Sequence, residues 1–296
     1  MYTTLISAAQ LQALRDSGAP LMVFDCSFDL MNPAAGEAQY REAHLPGAVY
    51  ANLDTALSDK GTPDAATGKP QPPADAASGG RHPLPSREKL AIWLSSVGLA
   101  NDMQAVVYDR NGANYCGRLW WMLKWAGHDA VAVLDGGLQA WVAAGGAVAT
   151  GPQEPVSASN YALAPAIARL ATTNLIADRL GSAAQTVVDA RAAPRFRGEV
   201  EPLDPVAGHI PGALNRPFAA NIGEDGRFKP AAQLRAEFEA LLGGRDPASV
   251  VHHCGSGVSA VPNVLAMEIA GLGTTALYAG SWSEWCSDTS RPVERG

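Results

Sequence analysis

The sequence predicts an α/β protein made of two tandem domains, each a mostly parallel sheet with helices on both faces. Short apolar, β-branched runs alternate with helical patterns along the chain, the arrangement that gives parallel sheets covered by helices. The second half repeats the landmarks of the first. The length, 296 residues, suits two domains at roughly 150 residues each.

The strands come first. LMVF (21–24), AVVY (105–108), AVAVL (130–134), TVVD (186–189) and ASVVHH (248–253) are short apolar runs bounded by turn residues, and read as buried strands. Helical patterns lie between them: 86–98, 118–127, 231–244 and 260–273, stopping at Gly98, Gly127, Gly243 and Gly271. Glycine is the common C-terminal stop because it adopts the left-handed backbone conformation at no steric cost.

The repeat sets Asp25 over Asp189, a separation of 164, and HLPGA (44–48) over HIPGA (209–213), a separation of 165. Further on, AVVYDRN (105–111) matches SVVHHCG (249–255), and LDGGLQAW (134–141) matches YAGSWSEW (278–285), both at 144. The difference, 165 − 144 = 21, marks an insertion in the first half. The stretch 58–85 lies there, holds six of the 21 prolines and reads as an irregular surface loop. The expected division is therefore an N-terminal domain over 1–145, a linker over 146–165, and a C-terminal domain over 166–296. Asp25, His44, Asp189 and His209 recur in both halves and are expected to serve the fold.

Composition narrows the function. The hydrophobic set is 47% and charged residues 17%, enough apolar surface for packed cores. The net charge of −7 argues against nucleic acid or an anionic membrane as the main partner. No stretch approaches the roughly 20 apolar residues of a membrane span, and the start has no signal-peptide pattern, so a soluble, cytoplasmic protein is expected. The four cysteines (26, 116, 254 and 286) are far apart and form no Cys-x-x-Cys pair. That fits a reducing compartment, and Cys26, Cys116 and Cys286 read as buried structural residues.

Cys254 stands apart because it sits between a strand and a helix start, at the carboxyl end of the sheet where open α/β folds bind ligands. The loop Cys254-Gly255-Ser256-Gly257-Val258-Ser259 has two glycines that let successive N–H groups turn inward. Such a nest, with the following helix start, favours an anion: a thiolate, or the outer sulfur of a persulfide held by the amides of Gly255, Gly257 and Val258. Ser256 and Ser259 are candidates for hydrogen-bonding a leaving group. Other cysteine chemistries fit less well. A tyrosine-phosphatase loop needs arginine six residues after the cysteine, and position 260 is Ala. His252 and His253 precede Cys254 on one strand and form no obvious dyad with it. The His-His-Cys triplet lacks a second cluster at ligand spacing, so no metal site is expected.

Two HxPGA repeats, DARAAPRFRGEVEP (189–202), CGSGVSA (254–260) and AGSWSEW (279–285) together resemble the tandem-domain rhodanese superfamily of sulfurtransferases. The resemblance covers nearly the whole chain. It implies two rhodanese-like domains, an inactive first one with Arg110 in place of the cysteine, and a catalytic second one. CGSGVSA is similar to the loop of the 3-mercaptopyruvate subclass, with Ser259 for the usual Thr; thiosulfate enzymes tend to carry basic residues after the cysteine. Arg195 matches the substrate-binding arginine, and Arg191 and Arg197 are close enough in sequence to share that role. A second arginine is usual a few residues on, where this chain reads Glu201-Pro202-Leu203-Asp204. The implied reaction needs no cofactor. It moves a sulfane sulfur from 3-mercaptopyruvate, through a Cys254 persulfide, to cyanide or a thiol. The alternatives are thiosulfate as donor, or a persulfide carrier serving a protein partner.

Overall fold

The computed structural model describes residues 1–65 and 71–296; residues 66–70 of the expected insertion lie outside the described residues. The chain divides into two compact units. The first comprises Met1–Ser58, Pro85–Ile167 and Glu224–Phe228, and the second Asp59–Leu84, Ala168–Gly223 and Lys229–Gly296.

Each unit holds a five-stranded, all-parallel sheet. In unit 1 the strands β1 (Leu5–Ile6), β2 (Leu21–Asp25), β3 (Val49–Tyr50), β4 (Gln104–Tyr108) and β5 (Val131–Leu134) lie in the order β1-β5-β4-β2-β3. In unit 2, β6 (Arg169–Ala171), β7 (Thr186–Asp189), β8 (Leu214–Asn215), β9 (Val250–His253) and β10 (Ala276–Tyr278) lie in the order β6-β10-β9-β7-β8. The two orders are the same path traced twice. Every residue of β4, β5, β7 and β9 is buried, as strands covered on both faces require.

The helices form where the patterns place them. Ser86 caps Arg87–Ser96 by accepting from the Lys89 amide, and Ala231–Leu242 stops at Gly243 with φ +57°. Cys116–Trp125 is buried along its whole length. Val261–Ile269 carries Pro262 in its first turn, where the missing amide costs no hydrogen bond. His44 and His209 do equal structural work: each Nδ1 lies 2.7 Å from a carbonyl, of Tyr40 and Phe196 respectively, and each ring stacks on that residue.

Three expectations are corrected by long-range contacts. Residues 146–165 are not a free linker. The Ala149 and His44 backbones pair, the Ser159 amide donates to Ser95, and the Ala164 amide donates to Ala126, so this stretch runs as an extended strap along unit 1. The described residues of the insertion form no helix or strand before residue 87, as expected, yet Asp59–Leu84 belongs to unit 2. The third correction concerns Arg110. β2 pairs Asp25 with Tyr108, and β7 pairs Asp189 with His253, so the residue after each strand is Asp109 in unit 1 and Cys254 in unit 2. Their carbonyls confirm it, accepting from Leu138 and Trp282 respectively. Asp109, not Arg110, stands where the cysteine would be; the sequence match is off by one residue because both strands are buried along their whole length, so no alternation of buried and exposed positions marks the register.

Candidate active site

Cys254 leaves β9 buried, at 2% exposure. Its amide donates to Ser281 Oγ (3.1 Å), which in turn donates to the Tyr278 carbonyl (2.9 Å). The Cys254 and Gly255 carbonyls accept from the amides of Trp282 and Ser283 at 3.0 and 2.9 Å. The turn before Trp282 thus anchors the cysteine from behind. Gly257 has φ +74°, and a side chain there would run into the Ala279 carbonyl oxygen, so the curl of the loop requires glycine. Among the described residues, the N–H groups of Gly255, Ser256, Val258, Ser259 and Ala260 meet no protein acceptor. Unpaired donors curled beside a helix start are the makings of an anion site.

Guanidinium groups stand over this loop. A Cβ on Gly255 would lie 2.8 Å from Nη2 of Arg81 and 3.4 Å from Nη1 of Arg195. Arg195 projects from the short helix Ala193–Phe196 and is steadied by Glu201 at 2.6 Å and Asp204 at 3.4 Å. Arg81 pairs with the other oxygen of Asp204. The stretch where a second arginine was expected therefore carries an acid, and the cation beside it comes from the insertion.

The other two arginines have different work. Arg191 is buried and commits its fork to Asp189 (2.6 Å), Glu201 (3.2 Å) and the Gly208 carbonyl (2.7 Å), with its plane 4.8 Å over the Trp282 ring. It secures the loop's surroundings, and its donors are occupied. Arg197 is 44% exposed and forms a surface pair with Glu199, so it is not among the groups gathered at Cys254. Both corrections have one cause: three arginines within seven residues point in different directions once the chain turns.

His252 and His253 also stay structural. His252 Nε2 lies 3.2 Å from Met267 Sδ, and burial lowers its pKa to about 3. His253 Nδ1 meets the Cys254 carbonyl at 3.1 Å, and Nε2 lies 3.6 Å from Asp189. Burial likewise lowers its pKa, against the pull of Asp189. Burial would raise the pKa of Asp189 itself, but His253 and Arg191 hold it below the usual carboxylate range.

Ser256 is placed by a residue that sequence reasoning missed. His82 Nδ1 lies 2.8 Å from Ser256 Oγ, and both are buried, at 3% and 6% exposure. Arg81 and His82 are delivered by the backbone around them: the Gly79 amide donates to Glu284 at 3.2 Å, and the Arg81 amide to Ser283 Oγ at 3.1 Å. The available signal was the insertion itself, a break in the repeat that ends in a basic GGRHPLP segment. Ser259 is partly exposed and has no comparable partner among the described residues.

Known proteins share this architecture. The rhodanese-like domain model matches residues 7–144 and again 172–288. A Pseudomonas aeruginosa protein called "Probable 3-mercaptopyruvate sulfurtransferase" is 44% identical, covering 100% of both chains. The thiosulfate sulfurtransferase of Gallus gallus is 33% identical over 95% of this chain and 92% of its own. The solved 3-mercaptopyruvate sulfurtransferase of Leishmania major superposes with a TM-score of 0.79 at 29% identity, covering 96% of this chain and 74% of that one. The chain belongs to the rhodanese-like domain family and carries the domain twice.

Proposed function

We propose that this protein is a sulfurtransferase that takes sulfur from 3-mercaptopyruvate onto Cys254 and passes it to a thiophilic acceptor. The observation that carries the reading is the convergence of Cys254, a ring of unpaired loop amides and two guanidinium groups within one unit. The similarity to relatives named for 3-mercaptopyruvate and for thiosulfate supports the reaction class.

In the first half-reaction, Arg195 and Arg81 hold the donor's carboxylate through charge-assisted hydrogen bonds. The Cys254 thiolate attacks the donor's sulfur. An S–S bond forms as the C–S bond breaks, and the electron pair leaves on carbon as the enolate of pyruvate. Ser256, hydrogen-bonded to His82, passes the proton released from the donor's thiol to that enolate. The outer sulfur, now an anion, is taken by the loop amides. In the second half-reaction a thiol or cyanide attacks that sulfur and returns the cysteine, the two-step pattern of covalent catalysis. Four free cysteines, all buried, support a reducing, cytoplasmic setting.

Intact mass after incubation with each donor tests this directly. A gain of one sulfur mapped to the Cys254 peptide is expected with 3-mercaptopyruvate. A gain only with thiosulfate makes that anion the donor, and no gain with either removes the reading.

A further inference from the structure

We infer that Asp204 is a charge selector which makes the donor pocket favour a singly charged donor over a doubly charged one. The inference rests on the proposed sulfur transfer and concerns which donor that site accepts.

The groups around Cys254 are closely matched in charge. Arg191 faces Asp189 and Glu201; Arg195 faces Glu201 and Asp204; Arg81 faces Asp204. Three cations thus meet three carboxylates. His82 hydrogen-bonds Ser256, and burial disfavours the charged form of His253. Asp204 is the member of this set that bridges the two guanidinium groups beside Gly255, one oxygen to each. Its side chain is 3% exposed, so water screens it poorly. An incoming anion competes with Asp204 for the same donors and is repelled by it across a region of low dielectric. That repulsion scales with the charge of the donor. 3-Mercaptopyruvate brings one carboxylate, whereas thiosulfate brings two negative charges. Two arginines alone would favour the dianion; Asp204 between them cancels part of that attraction.

The experiment compares kcat/KM for 3-mercaptopyruvate and thiosulfate in wild type, D204N, R81Q and the R81Q/D204N double variant. D204N is expected to move the donor ratio toward thiosulfate by about tenfold, R81Q to move it the other way, and the double variant to return it close to wild type. An unchanged ratio in D204N, or movement in the same direction in both single variants, overturns the inference. Dissociation constants for both donors, measured in a Cys254→Ser background, read the same selection without turnover. Absence of sulfur transfer in wild type would therefore count against the proposed reaction, while the binding ratio still decides the role of Asp204.

Discussion

The loop after β4 and the loop after β9 occupy the same place in two copies of one fold, and they answer the same physical problem in opposite ways. In unit 1 the strand is followed by Asp109. Its carboxylate accepts from the amides of Asn111 (2.8 Å), Ala113 (3.1 Å), Tyr115 (2.8 Å) and Cys116 (2.9 Å). The chain fills the anion nest with its own side chain. In unit 2 the strand is followed by Cys254, and the amides of Ser256, Val258 and Ala260, which correspond to three of those four donors, have no protein acceptor among the described residues. A buried polar group left unpaired costs stability, so a fold that leaves several together around a cysteine is arranged for an anion that comes and goes. The filled loop shows what the open loop is shaped to hold.

The arginines repeat this lesson. Arg110 in unit 1 reaches Asp25, Ser27 and the carbonyls of Gln39 and Ala43. Arg191 in unit 2 reaches the matching Asp189 and the Gly208 carbonyl. Ala43 and Gly208 each precede the histidine of an HxPGA segment. The same guanidinium position is thus supplied from two different points in the sequence, which is why Arg110 is a brace and not a relic of the cysteine.

The comparison can be broken most decisively at Cys254. Replacement by Ser or Asp should abolish sulfur gain from either donor. If the two loops are equivalent, Cys254→Asp should also melt no lower than Cys254→Ser, because its carboxylate finds the free amides as Asp109 does. Residual transfer, or a markedly lower Tm for the Asp variant, would separate the two loops.

His82→Gln sharpens the difference in chemistry. We expect kcat with 3-mercaptopyruvate to fall about a hundredfold, the scale of one general acid–base contribution. Thiosulfate, whose leaving sulfite needs no carbon protonation, should lose far less. Equal losses in steady-state assays would make His82 a packing residue.

In unit 1, Asp109→Asn turns two amide acceptor contacts into opposed donors. A loss of about 2–3 kcal/mol is expected from urea unfolding; an unchanged midpoint would mean the nest matters little to stability.

The last effect appears only in acid. An unfolded histidine titrates near 6.5, while His252 is held neutral in the fold down to about 3, first by burial and then by His253 and Arg216. The unfolded chain therefore binds the extra proton between those values. Stability should be intact above pH 6.5 and fall by about 1.4 kcal/mol per pH unit below it for this one group. His252→Gln should flatten that acid limb in pH-dependent unfolding; an unaltered slope would assign it elsewhere.

What the sequence determined by itself is local or periodic. Apolar runs, glycine stops and the repeat were enough for two α/β domains, because strand burial and helix capping depend on neighbours a few residues apart. The Cys254 loop was legible for the same reason: its two glycines and the helix start after it are contiguous. The tertiary structure decided what depends on distant partners. A one-residue shift in a strand buried on both faces breaks no alternation of buried and exposed positions, so only the β2–β4 and β7–β9 registers could put Asp109 in the place of Cys254. His82 meets Ser256 across 174 positions, and Arg81 meets Asp204 across 123. No periodicity spans such separations, and packing of the insertion onto unit 2 brings those groups together.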